Sequence, residues 1–276
     1  MSHATMEEAV REELKSKNRL GIKPKAQEVI AVLTPTLGYA SFWYFTGVLG
    51  LIWPMNKGKG VMPARDDNGG EIAEMRNRLV QMMLCADEAG PTRVTHVMWL
   101  DDDVIIGPAA MLALASHDRD IASGVYFSKY EKAEPLIFDG PSSGTGKFLP
   151  GKTRESWGWS QGLSLVKLEV YRRMRDELNL DKDKYGNPSW YQSPMQQAIK
   201  NGNFHSPSTE DFPFFDNCNK LGYVCLQDMT REAFGFHYDL NADKGYPKAQ
   251  WEQFKRREPI IWPAAGEQEE VVWPAI

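Results

Sequence analysis

The sequence predicts an α/β fold, a central and mostly parallel sheet flanked by helices. Val29-Ile-Ala-Val-Leu33 is a short β-branched run stopped by Thr34-Pro35-Thr36, the pattern of a central parallel strand that ends at a ligand-binding edge. A second apolar run, Val94-Thr-His-Val-Met-Trp-Leu100, ends in Asp101-Asp102-Asp103. Segments of helical period separate these strands, and such alternation argues for an α/β sheet.

The elements follow in order. Residues 41–53 read as a buried helix, followed by a Gly- and Lys-rich loop at 56–60 and a polar turn at 66–70. Residues 71–89 carry Ile72, Met75, Leu79, Met82 and Met83 with charges between them and Gly90-Pro91 as a stop, which is an amphipathic helix. After the aspartate strand come a helix at 108–116, a strand at 120–127 and a Gly-, Pro- and Ser-rich loop or lid at 139–152. A strand at 162–166 and a helix at 168–180 precede a polar and aromatic region with no strong period. The last helix opens at Ser208-Thr-Glu-Asp211 and runs to Gly222, placed where a C-terminal cap belongs, and residues 223–226 are the final strand. Beyond about residue 241 periodicity is lost and Trp251, Trp262 and Trp273 suit a tail that packs on the body. The chain thus divides into an N-terminal arm (1–25), a main domain (26–240) and a C-terminal extension (241–276), with no internal repeat.

Composition bounds the function. A chain of 276 residues with 42% hydrophobic content and nine Trp can bury a substantial core, and a net charge of −5 supplies no basic field for nucleic acid. Cys85, Cys218 and Cys225 are an odd number without zinc-type spacing, so they read as reduced thiols of a cytoplasmic protein. The charged first 25 residues lack the apolar core of a signal peptide. No charge occurs between Glu28 and Lys57, but Thr34-Pro-Thr-Leu-Gly38 breaks that stretch and the apolar segment at 41–55 is shorter than the ~20 residues of a spanning helix. Stable membrane insertion is not expected.

Three acids directly after an apolar strand put several negative charges in one small volume, which is costly unless a cation neutralises them. A divalent metal with oxygen ligands does so most simply. If the strand runs on through the triplet, Asp101 and Asp103 point to one side and Asp102 to the other. The plainer alternative is a solvated cap for the helix that follows. A helix-loop-helix calcium site is a poor fit, because Ile105 and Ile106 stand where it needs oxygen ligands and a Gly.

The order of features from about Val29 to Tyr238 resembles the glycosyltransferases of the GT-A fold, especially the large family-two type and its phage-encoded relatives. The resemblance is carried by Thr34-Pro35-Thr36, Arg76-Asn77 on a helix, Leu100-Asp-Asp-Asp103, Ser123-Gly124, Gly162-Leu-Ser-Leu, the pair Glu210-Asp211 and the late His237. It implies a sugar nucleotide as donor, UDP favoured, and Mn²⁺ or Mg²⁺ bridging its diphosphate. Asp101, Asp103 and His237 would be the metal ligands, with Asp101 and Asp102 also on the nucleotide side beside Thr34, Pro35 and Arg76. Asp211, paired with Glu210, would be the catalytic base, and Trp159 and Gly162 would face the acceptor. The acceptor class stays open between a modified DNA base, a protein and a glycan, in the host cytoplasm if the chain is phage-encoded.

Several of these residues have plainer readings. Ser208-x-x-Asp211 is also a capping-box pattern, Arg76 also an exposed helical neighbour, Trp157 and Trp159 also core, and His237 also a packed residue among aromatics. Two other functions compete: a phosphohydrolase of the haloacid-dehalogenase type, and a nucleotide-sugar-binding protein without transfer activity.

Overall fold

Residues 27–36 lay down strand β1 (Gln27–Pro35), and strand β2 (Gly60–Asp66) pairs parallel to it. This is a computed structural model that describes residues 27–36, 60–66, 71–90, 92–107, 109–128, 134–141, 146–183, 186–194, 196–197, 209–237, 262–264 and 267–269. Helix α1 (Ile72–Ala89) leads into β3 (Thr92–Leu100), which pairs parallel to β1 on its other side. There follow β4 (Val104–Ile106), α2 (Ala110–Ser116), β5 (Ile121–Ser123), β6 (Thr153–Ser156), β7 (Leu163–Lys167) and α3 (Leu168–Glu177). Helix α4 (Asp211–Lys220), β8 (Cys225–Asp228) and β9 (Gly235–His237) complete the body. Two short strands, β10 (Trp262–Ala264) and β11 (Glu267–Glu269), pair with each other.

The main sheet has seven strands in the order β2-β1-β3-β7-β5-β8-β6. Strands β1, β2, β3, β5 and β8 share one direction, while β7 and β6 run against them. The fold is therefore the expected α/β arrangement with a mostly parallel sheet.

Alternation along the strands sorts side chains to two faces. Val29, Ala31 and Leu33 of β1 join Val97 and Trp99 of β3 in one core with residues of α1, α3 and α4. Ile30 and Val32 join Met98, Leu100, Leu163 and Leu165 in a second core with α2 and β4. Both faces are covered, which explains why β1 and β3 read as near-continuous apolar runs.

Helix α1 starts and stops within a residue of its sequence limits, with Glu71 and Gly90 as caps. Gly222 also sits as expected: its φ is +79°, its N–H donates to the Asn219 carbonyl and the Tyr223 N–H reaches back to Cys218. These paired bonds close the end of α4 with a left-handed residue that favours glycine. Other elements differ from expectation. The strand at 120–127 is regular only over β5, continuing as single bridges at Val125 and Phe127. Helix α3 stops at Glu177, short of residue 180. Strands β2, β4, β6 and β9 lacked a sequence signal; β2 contains Pro63, tolerated because this strand is at the sheet edge. Among the described residues no helix is long and apolar enough to cross a membrane. The N-terminal arm, the helix at 41–53 and nearly all of the C-terminal extension lie outside the described residues.

Candidate functional site

Strands β1, β2 and β3 end side by side, and their carboxyl ends build one half of the site. Thr36, just past β1, binds both neighbours: its N–H donates to the Asp66 carbonyl at 3.2 Å and its Oγ1 donates to Asp102 Oδ2 at 2.7 Å. Asp66 in turn accepts from Arg78 Nε of α1 at 2.5 Å. Thr34 and Pro35 are buried at this edge, and the Thr34 hydroxyl has no hydrogen-bond partner.

The aspartate triplet is a turn and not a continuing strand. β3 stops at Leu100, and the Asp101 carbonyl accepts from the Val104 N–H at 3.1 Å before β4 begins. This corrects the expectation that pleating sends Asp101 and Asp103 to one side. Instead Asp101 turns towards α1, where Arg76 Nη2 donates to its Oδ1 at 3.0 Å, while Asp102 turns to Thr36. Asp103 remains partly exposed.

Gly162 fits tightly behind the triplet. Its carbonyl accepts from the Asp101 N–H at 3.1 Å and its N–H donates to Tyr126 Oη at 3.0 Å. A Cβ there would lie 2.1 Å from Asp101 Oδ2 and 2.7 Å from Tyr126 Oη, so only glycine permits this approach.

The second half of the site comes from α4. Glu210 is its N-cap residue and Asp211 its first residue, and the Glu210 side chain makes no capping hydrogen bond. Ser208 lies outside the described residues. Asp211 Oδ1 is buried without a hydrogen-bond partner, 3.7 Å from Arg76 Nε; Glu210 Oε1 stands 3.8 Å from the same nitrogen.

Arg76 therefore lies beneath both halves. It is 2% exposed, its guanidinium carbon 5.0 Å from the Trp99 ring centroid and 5.7 Å from that of Tyr191, so it is not the solvated helical neighbour that spacing allowed. The floor is rigid: the Asn77 side chain exchanges two 2.9 Å hydrogen bonds with the Tyr191 backbone, and Trp99 Nε1, Tyr171 Oη, Tyr191 Oη and Gln161 Nε2 form a hydrogen-bonded string.

One guanidinium faces more carboxylates than it can neutralise. Burial pushes the Asp101 carboxyl up to about 6, and Asp103, Glu210 and Asp102 add to the rise while Arg76 opposes it. Burial also holds Asp211 well above the usual carboxylate range, reinforced by Glu210 and opposed by Arg76. These acids together raise Arg76 further above its ordinary value despite its burial. The Tyr126 phenol is pushed up by burial and by Asp101.

The carboxylates around Arg76 outnumber it, an imbalance that protonation or an added cation would relieve. Among the described residues no three His, Cys, Asp or Glu side chains are grouped so as to hold a metal by themselves. Mg²⁺-type sites need only one or two carboxylates when substrate phosphates supply further oxygens, and the triplet offers that minimum. The His237 side chain lies outside the described residues, but antiparallel pairing sets its backbone opposite Val104, next to Asp103 in sequence.

Trp159 takes the core position: it is 1% exposed, its ring 4.2 Å from Phe215, with Nε1 unpartnered. An acceptor could not stack on it in this arrangement. Tyr126, Thr36, Asn77 and Tyr191 were not singled out as site residues from sequence. Thr36 stood in the Thr34-Pro35-Thr36 motif; nothing local distinguishes Tyr126 or Tyr191, whose roles arise from contacts 36 and 114 residues away along the chain.

No protein-family model matches the chain, and no curated protein matches it. One solved structure with a similar backbone is described as a glycosyltransferase involved in the glycosylation of the major capsid of PBCV-1. It shares 15% identity over 55% of this chain and 66% of its own, with a TM-score of 0.32. A likeness of that size carries no argument about activity.

Proposed function

We propose that the protein is a metal-dependent glycosyltransferase that moves a sugar from a nucleoside-diphosphate sugar, a UDP-sugar first, to an acceptor hydroxyl. One observation carries this reading: Asp101 and the Glu210-Asp211 pair flank a single buried guanidinium at the carboxyl edge of the parallel strands. Open α/β sheets bind ligands at that edge. The sequence resemblance to GT-A enzymes assigns both acidic groups complementary roles.

Asp101 and Asp103, with His237 from β9, would hold Mn²⁺ or Mg²⁺ in this reading. When bound, the ion offsets the charge gained by the departing diphosphate. Thr34, Pro35 and Asp102, the last fixed by Thr36, form the nucleotide side. Asp211 is the base. It takes the proton of the acceptor hydroxyl as that oxygen bonds to the anomeric carbon; the bond from this carbon to the diphosphate oxygen breaks and the nucleoside diphosphate leaves with its electron pair. The raised proton affinity of Asp211 makes it a stronger base than a solvated aspartate, and Glu210 sustains that rise. Gly162 lets Asp101 and Tyr126 close in against the backbone behind the triplet. The acceptor is a modified DNA base, a protein or a glycan, and the net charge of −5 disfavours a large DNA footprint. A cytoplasmic site of action belongs to the same proposal.

The phosphohydrolase alternative calls for a lysine at the acids. Among the described residues the cation paired with Asp101, Glu210 and Asp211 is an arginine.

Thermal unfolding tests the reading, with UDP, GDP, CDP or ADP and their sugar conjugates, each with Mn²⁺, Mg²⁺ or EDTA. A ligand at about 100 times its dissociation constant stabilises by about 2.7 kcal/mol. The expected result is a rise in melting temperature with one nucleotide, dependent on metal and lost in Asp103→Ala. No rise with any nucleotide in folded wild type would remove the glycosyltransferase reading.

A further inference from the structure

We propose that Arg76 is a positioning residue that acts without touching the substrate: one arm sets Asp101 on the donor side and the other sets Asp211 on the acceptor side. The proposal rests on the function given above and goes beyond the sequence resemblance, which places Arg76 against the nucleotide.

Accessibility argues against nucleotide contact, since the side chain is 2% exposed while the Asp101 side chain above it is 23% exposed. The guanidinium packs against both the Trp99 and the Tyr191 ring, which meet each other at 81° with centroids 5.6 Å apart. Tyr191 is itself held by Asn77, the residue after Arg76 on α1, so guanidinium and ring are anchored to the same turn of helix.

The two arms are in different states. Nη2 is committed to Asp101 at 3.0 Å. Nε has no hydrogen-bond partner, although Asp211 Oδ1, also unpartnered, is only 3.7 Å away and Glu210 Oε1 3.8 Å away. Buried donors and acceptors left this close without a bond are costly, and a shift of well under 1 Å would join them. A small movement of the donor-side carboxylate is thus passed through a rigid, planar fork to the base. Lysine, a point charge on a flexible stem, could neutralise these acids but not hold both geometries.

The test compares wild type, Arg76→Lys, Asp211→Asn and the double variant in steady-state turnover of UDP-sugars with Mn²⁺. The expected result is a fall of about 100-fold in kcat for Arg76→Lys with donor KM within about threefold of wild type. The double variant then loses clearly less than the product of the two single losses, because part of the effect of Arg76 runs through Asp211 and the rest through Asp101. A tenfold or larger rise in donor KM with kcat unchanged would show nucleotide contact and overturn the role, as would fully additive losses in the double variant. If Arg76→Lys does not fold, the charge-balanced pair Arg76→Gln with Asp211→Asn gives the same reading of KM: unchanged supports the role, raised overturns it. Wild type that turns over no donor would overturn function and role together, whereas an active wild type with a KM effect overturns the role alone.

Discussion

Arg76 donates from Nη2 to Asp101 Oδ1 at 3.0 Å across the boundary between core and solvent: the guanidinium is 2% exposed and the carboxylate 23%. The cation is fixed from below, so the acid is held in orientation while one side stays open to a ligand. Removing either partner has unequal consequences. Arg76→Met leaves Asp101, Glu210 and Asp211 without their counter-ion, and the expected cost is about 3–5 kcal/mol in urea unfolding. Asp101→Asn keeps the shape, removes one of the excess negative charges, and should cost clearly less.

Gly162→Ala tests the close approach behind the triplet. Its added methyl would meet Asp101 Oδ2 at 2.1 Å, so the aspartate or β7 must move. The expected destabilisation is about 1–3 kcal/mol by denaturant unfolding. Steady-state turnover of a UDP-sugar with Mn²⁺ should show kcat lowered by about tenfold or more, since Asp101 is displaced.

Thr36→Val removes the hydroxyl that fixes Asp102 while nearly preserving shape. A hydrogen bond to a charged group at a site 3% exposed is worth about 1.5–3 kcal/mol, and unfolding experiments should show a loss of that order. Nucleotide affinity should fall along with it.

The contribution of Asp101 to stability in EDTA should decline as pH rises between the ordinary aspartate value and about 6. Over that window the folded protein keeps a proton on Asp101 that the unfolded chain has already released, so raising pH favours unfolding. Asp211, whose folded value is also raised, contributes with the same sign to higher pH. Urea midpoints across this range check it, and Asp101→Asn should flatten the slope. A slope through the window that is the same in wild type and Asp101→Asn would contradict the electrostatics of the site.

The parts of the fold legible in the sequence are those with local signatures. β1 and β3 announce themselves by apolar runs buried on both faces, and α1 by its period and by Gly90. β2, β6 and the β4-β9 pair are short or edge strands whose existence depends on partners far along the chain, so local pattern is weak. The same division holds at the site. The Asp101–Asp103 cluster stands out by composition, but which way each carboxylate turns is decided by the turn to Val104 and by Arg76 and Thr36. Trp159 looked equally suited to a rim or a core because its ring chemistry serves both; Phe214 and Phe215 of α4 decide it.

The most direct test of the central claim is a calorimetric titration of Mn²⁺ into the protein with and without UDP. Among the described residues the triplet has no ready-made three-ligand group, and in the proposed reading diphosphate oxygens would add to the coordination. Linkage then requires metal and nucleotide to strengthen each other equally, and the account predicts that UDP tightens Mn²⁺ binding by about tenfold or more, an effect lost in Asp103→Ala. Mn²⁺ binding of equal strength with and without UDP, or no UDP binding at all, would contradict it.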